Sequence, residues 1–352
     1  MSQPSLLFDV VAALVKILVF AHVALILSAM MSLVERKVSA WMQDRIGPNR
    51  VGPGGLLQPV ADGVKFLFKE QLIPGQVDRV LYVLAPAIAL APAFMVLAVI
   101  PFGPPVTVMD QRVSLAIADL DVGILFVFAI SSLSVYGVTL AGWSSRSKYA
   151  LLGGVRSSAQ MISYEISLGL SVVGVFMLVG SLRLTDVITW QADGVWNVFT
   201  QPIGFLVFLV AAFAETNRLP FDLPEAETEL VAGYHTEYSG MKFAMFFLGE
   251  YTAMFVFSCL IAVLFLGGWD IPFVSEGTLQ ALGNWGSLLG FLSLMLKALF
   301  FLFVYVWVRW TIPRFRFDQL MALGWKVLLP LGLVQIVLTG LWGALTGGLG
   351  GD

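Results

Sequence analysis

A chain of 352 residues that is 58% hydrophobic and only 12% charged, with mean hydropathy +0.88, reads as a polytopic membrane protein, because soluble domains carry roughly 25% charged residues. The formal charge of −3 names no partner, and nothing in the chain calls for nucleic acid. One cysteine, Cys259, cannot ligate an iron–sulfur cluster or close an internal disulfide, and the two histidines lack metal-ligand spacing, so no redox metal is expected in this chain.

The first apolar run, near 10–34, is too long for a signal-peptide core and has no basic segment before it. It ends in Val34-Glu35-Arg36-Lys37 rather than a small-residue cleavage site, and reads as a retained helix. Lys16 lies close enough to an interface to snorkel, and His22 reads as a core residue. Residues 45–55, RIGPNRVGPGG, combine Gly and Pro at a density that shapes a backbone and does not merely link. Over 56–73 an amphipathic helix follows, with Leu56, Leu57, Val60, Ala61, Val64, Leu67 and Phe68 on one face. Gln58, Asp62, Lys65 and Lys69 lie opposite, and Pro59 is tolerated in the first turn. Such a helix of about 25 Å is too polar to cross lipid and is expected to lie along the interface.

Further spans are predicted near 80–101, 121–143, 157–180, 201–219, 243–266, 286–308 and 327–346, about eight in all. Lys and Arg orient them. Sixteen cations fall in one set of connections and only Arg112 and Arg183 in the other, which places the first set in the cytoplasm and both termini outside. The expected organisation is a single membrane domain, 1–352, with cytoplasmic loops at 35–79, 215–242 and 309–326. Trp190, Trp196, Trp269 and Trp285 in the outer loops read as interfacial anchors.

Three carboxylates sit inside the apolar spans. Glu165 lies ~13 Å along the fourth from its cytoplasmic end, Glu250 comparably deep in the sixth, and Glu215 near the end of the fifth, which is expected to run past it until Pro220 and Pro224 stop it. Directly below runs an acidic loop with Asp222, Glu225, Glu227, Glu229 and Glu237, answered by one fixed cation, Arg218. An ionised carboxylate in hydrocarbon costs several kcal/mol, so these groups must face protein or water, and the cluster reads as a hydrated proton or charge path. Lys297, near the middle of the seventh span, is a candidate partner for a buried carboxylate. No internal repeat stands out, which argues against a repeat-built transporter.

Taken together, Glu35-Arg36-Lys37, RIGPNRVGPGGLLQPVADGVKFLFKE (45–70), AETNRLPFDLPEAETELVAGYHTEYSGMKFA (214–244) and RWTIPRFRFDQLMALGWK (309–326) resemble the NADH dehydrogenase subunit 1 family, a membrane component of proton-pumping NADH:quinone oxidoreductase, respiratory complex I. The resemblance covers nearly the whole chain. It implies an eight-helix core with an interfacial helix that forms much of the chamber admitting ubiquinone or menaquinone. NADH, FMN and iron–sulfur clusters would belong to peripheral-arm partners, and proton pumping to antiporter-like membrane partners beside small membrane subunits. Arg36, Arg45 and Asp62 are carried over as part of the quinone cavity. Glu165, Glu215, Glu250, Glu227 and Glu229 are carried over as part of the coupling link. A bacterial plasma membrane is favoured over a mitochondrial inner membrane. The alternatives are the related component of a membrane-bound hydrogenase and an independent ion transporter.

Overall fold

The computed structural model describes residues 6–108, 111–223, 231–272, 274 and 276–346. Helix α1 (Leu6–Met42) has 37 residues, about 55 Å at ~1.5 Å each, against a hydrocarbon core of about 30 Å. It therefore carries Glu35, Arg36 and Lys37 beyond its apolar stretch on the same helix. The Gly/Pro segment then folds back against it. Gly55 adopts φ +82°, and a Cβ there would strike the Pro48 carbonyl, so only glycine closes this loop. Lys37 Nζ donates to the Gly54 carbonyl at 2.5 Å and fastens the loop to α1.

Helix α2 (Gln58–Phe68) spans 11 residues, shorter than the expected 56–73. At Lys69 the backbone turns extended (φ −70°, ψ 134°). Leu57, Val60, Val64, Leu67 and Phe68 are exposed while Asp62 and Gly63 face a cavity. The apolar face thus points away from the rest of the chain, as a helix lying in an interface requires.

The remaining spans follow in order. Helix α3 (Arg79–Leu97) starts at Asp78, whose carboxylate accepts from the Leu81 amide at 3.3 Å. Helices α4 (Gly123–Ser131) and α5 (Leu133–Ser144) together make one span broken at Ser132. Helix α6 (Lys148–Val179) ends at Gly180 in the left-handed region. Helix α7 (Leu184–Asp193) follows it, and α8 (Pro202–Glu215) begins with proline in its first turn. Then come α9 (Gly240–Phe265), α10 (Asn284–Thr311), α11 (Phe317–Leu323), a π-helical turn at Gly324–Leu328 and α12 (Leu329–Thr346).

Among the described residues seven helices are long and apolar enough to cross a membrane, and α8 is a shorter apolar one. The protein is an all-α polytopic membrane protein. Among the described residues the strands are β1 (Val106–Val108) and β2 (Gln111–Val113), an antiparallel pair between α3 and α4.

Helix α9 is the centre of the bundle. Every residue from Met254 to Phe265 is buried, as expected of a helix apolar all round. Close approach elsewhere relies on small residues. A Cβ added at Gly137 of α5 would lie 2.5 Å from the Ala89 amide nitrogen of α3.

One expectation is corrected by the fold: the fifth span does not run past Glu215, because α8 ends at that residue and Asn217 turns the chain over at φ +51°. Lys297, midway along α10, lies within electrostatic reach of the buried Asp270. Its Nζ donates to the carbonyls of Leu266 (2.7 Å), Gly268 (2.9 Å) and Asp270 (2.6 Å), satisfying backbone just beyond the end of α9. Trp196 lies under the ammonium at 4.5 Å and donates its indole N–H to Asp270.

Candidate functional site

At the end of the bundle where the basic connections gather, α1, α2, α9 and the last turn of α10 enclose a cavity of about 680 Å³. Its apolar wall includes Phe66, Phe243, Phe247 and Leu248, and its polar groups include Arg36, Arg45, Asp62, Glu35, Tyr251 and Arg309. Arg36, Arg45 and Asp62 thus line one space. Asp62 accepts from Arg36 at 2.7 Å and from Gln58 at 3.2 Å, and Lys65 stands 3.7 Å from it. Arg36 comes from the last turns of α1 and the other three from one face of α2, which is why the amphipathic spacing matters.

Deeper in the same cavity sits Glu35, 6% exposed. Its carboxylate accepts from the Tyr251 hydroxyl at 2.6 Å, from Arg309, and from Arg218 at 3.4 Å. Arg218 also pairs with Glu250 at 3.5 Å and lies over the Tyr251 ring at 4.3 Å. Two carboxylates and two guanidiniums therefore share one buried, low-dielectric cluster. In the sequence, Glu35 and Arg309 mark only the ends of spans, and Arg218 stands as the lone answer to an acidic loop. Tyr251 gives no signal at all.

Glu215, 6% exposed, terminates α8. It borders a small cavity of about 50 Å³ with Ser131, Ser134 and Gly249. Glu165 and the Tyr305 phenol lie near enough to interact with it electrostatically, and Tyr305 in turn interacts with Arg218. Arg218 thus joins Glu35 and Glu250 by direct ion pairs, Glu215 interacts with Glu165 and Tyr305, and Lys297 lies beyond the far end of α9. Glu227 and Glu229 lie outside the described residues, as does Glu225.

The flanks of the acidic loop are tied to the other two connections. Asp222 pairs with Arg314 at 3.0 Å, and the Phe315 amide donates to the Pro220 carbonyl at 3.1 Å. At the far flank Tyr238 stacks on Tyr82 with centroids 4.2 Å apart, and the Tyr82 hydroxyl donates to the Glu237 carbonyl at 2.6 Å. Burial pushes the Tyr238 phenol above the usual tyrosine range, so it stays protonated beside Ser144.

A family model described as NADH dehydrogenase matches residues 15–340. Among curated proteins, the chain is 54% identical over 334 residues to NADH-quinone oxidoreductase subunit 8 of Rhodothermus marinus, covering 91% of this chain and 94% of that one. It is 52% identical over 325 residues to an NADH-quinone oxidoreductase subunit of Geobacter sulfurreducens, covering 92% and 94%. To an NADH-quinone oxidoreductase subunit of Leptospira biflexa it is 49% identical over 338 residues, covering 93% and 94%.

Proposed function

The chain belongs to the NADH dehydrogenase family, and from that premise we propose that, as a membrane subunit of a translocating NADH-quinone oxidoreductase, it houses the quinone and couples its reduction to proton movement. The observation that carries this reading is Glu35, which lines the large cavity and is joined through Arg218 to Glu250. A cavity of about 680 Å³ suits a quinone head and part of its tail, with a few convergent polar groups for one and an apolar wall for the other. The phenylalanines of α2 and α9 take the tail. Arg36, Arg45 and Asp62 form the polar approach.

Reduction of a quinone to a quinol takes two electrons and two protons, so negative charge appears at the head before protons arrive. The electrons come from iron–sulfur centres of peripheral-arm partner subunits, which also bind NADH and FMN. Within this chain, Arg309 and Arg218 respond to that charge by loosening from Glu35. Arg218 then alters the field at Glu250, Tyr305 and Glu215, and Glu165 follows Glu215. A carboxylate in so dry a setting changes protonation for a small change in local field. Antiporter-like partners in the membrane receive the signal. The basic end faces the cytoplasm by the distribution of Lys and Arg, which puts both termini outside in a bacterial plasma membrane.

Glu215→Gln keeps the shape of the side chain and removes its titration. In assembled enzyme in proteoliposomes, the protons moved per electron pair fall sharply while the complex still purifies whole. Normal coupled turnover in that variant would sink the claim for Glu215.

A further inference from the structure

Helix α6 presents a fully buried glutamine, Gln160, to the elbow that follows α8. Its Nε2 lies 2.8 Å from the Ala214 carbonyl, 2.8 Å from the Phe221 carbonyl and 3.1 Å from Asn217 Oδ1, so its two N–H donors are shared among three acceptors. Three acceptors around one nitrogen fix the amide orientation, since a flipped group would set its oxygen against all three. The acceptors lie on both limbs of the elbow. Ala214 belongs to the last turn of α8, Asn217 is the left-handed turn residue, and Phe221 lies beyond the cis Leu219–Pro220 peptide. Between them the chain carries Glu215 and Arg218.

Neighbouring residues on the same face of α6 reinforce the grip. Ser157 Oγ donates to Asn217 Oδ1 at 3.4 Å, and Asn217 Nδ2 approaches the Met161 sulfur at 3.6 Å. A helix end leaves its last carbonyls without intrahelical donors, and here a side chain from another helix supplies one. Further along α6, Leu168, Val172 and Val175 pack in the core, and Tyr164 donates to the Leu320 carbonyl. Gln160 instead directs its donors to the backbone of the elbow.

Building on the coupling role proposed above, we infer that Gln160 is a positioning residue that sets the spacing between Glu215 and the Glu35–Arg218–Glu250 cluster. It acts through the backbone of residues 214–221 and touches no quinone. Arg218 reaches both carboxylates at 3.4–3.5 Å, so a shift of the elbow by a fraction of that distance changes which partner it holds.

The test uses the whole complex in proteoliposomes with Gln160→Met, Glu215→Gln and the two combined. Gln160→Met keeps the length of the side chain and deletes its donors. Expected is an assembled complex whose protons per electron pair fall by about half or more, since small misplacements far from the chemistry are costly. The double variant should be no worse than Glu215→Gln, because Gln160 works through the elbow that residue occupies. A parental ratio in assembled Gln160→Met, or a double variant whose losses multiply, overturns the inference while leaving the coupling role of Glu215 intact. A parental ratio in Glu215→Gln overturns both. Should Gln160→Met not assemble, Asn217→Gly decides instead. Glycine accepts φ +51° and removes one of the three acceptors, so a lowered ratio supports the inference and a parental one refutes it.

Discussion

Arg218→Met probes the charge cluster most directly. The cluster balances Glu35 and Glu250 against Arg218 and Arg309, with the Arg218 side chain 5% and that of Glu35 8% exposed. Removing Arg218 leaves a surplus negative charge in a dry site. Breaking a buried pair by deleting one partner costs about 3–5 kcal/mol. Arg309 still holds Glu35, so the lower figure applies, about 3 kcal/mol or roughly two decades in the folding equilibrium. Adding Glu35→Gln restores the charge balance and should recover about 1–2 kcal/mol of that loss. The assay is the heat-denaturation midpoint of the tagged chain within complex purified in mild detergent, measured for both single variants and the double. The expected order places the double variant above Arg218→Met. A double variant whose loss equals the sum of the two singles would refute the shared cluster.

Two further variants separate cavity from scaffold. Asp62→Asn loosens a partly exposed ion pair worth about 0.2–1 kcal/mol, so the KM for a short-chain quinone should rise by about 1.4- to fivefold with assembly unaffected; a parental KM would remove Asp62 from the approach route. Lys297→Met strips a donor from three carbonyls and should lower heat stability by about 1–3 kcal/mol. Because Lys297 meets the end of α9 opposite to Glu250, protons per electron pair should stay at the parental level, and a halved ratio with unchanged stability would return Lys297 to the coupling path.

What can be read from the residues follows from how far each signal reaches along the chain. Hydropathy locates the spans because each is a local run of about twenty apolar residues, and the 3.6-residue period locates α2 with Pro59 in its first turn. The elbow is hidden because Pro220 and Pro224 are loud stop signals, whereas the turn that ends α8 depends on Asn217 and on donors from Gln160, 57 residues away. The depth of Lys297 in α10 is legible in the same local way, but not that α9 ends beside it with carbonyls for it to meet. Glu35 and Tyr251 meet across 216 residues, and no periodicity within either helix encodes that meeting.

The same separations order the making of the protein. The first half of α1 meets residues about a hundred positions on, with Phe20 stacking on Phe102 and Lys16 reaching the Ala116 carbonyl. In its second half Arg36 and Lys37 are met early by Asp62 and Gly54, but other contacts wait. Ser28 bonds to Thr252, and Glu35 to Tyr251 and Arg309. At ~5–20 residues per second a ribosome needs roughly 10–40 s to travel from Glu35 to Tyr251, and for that interval the Glu35 carboxylate lacks its phenol partner. A finished copy covers that carboxylate with two arginines and a tyrosine.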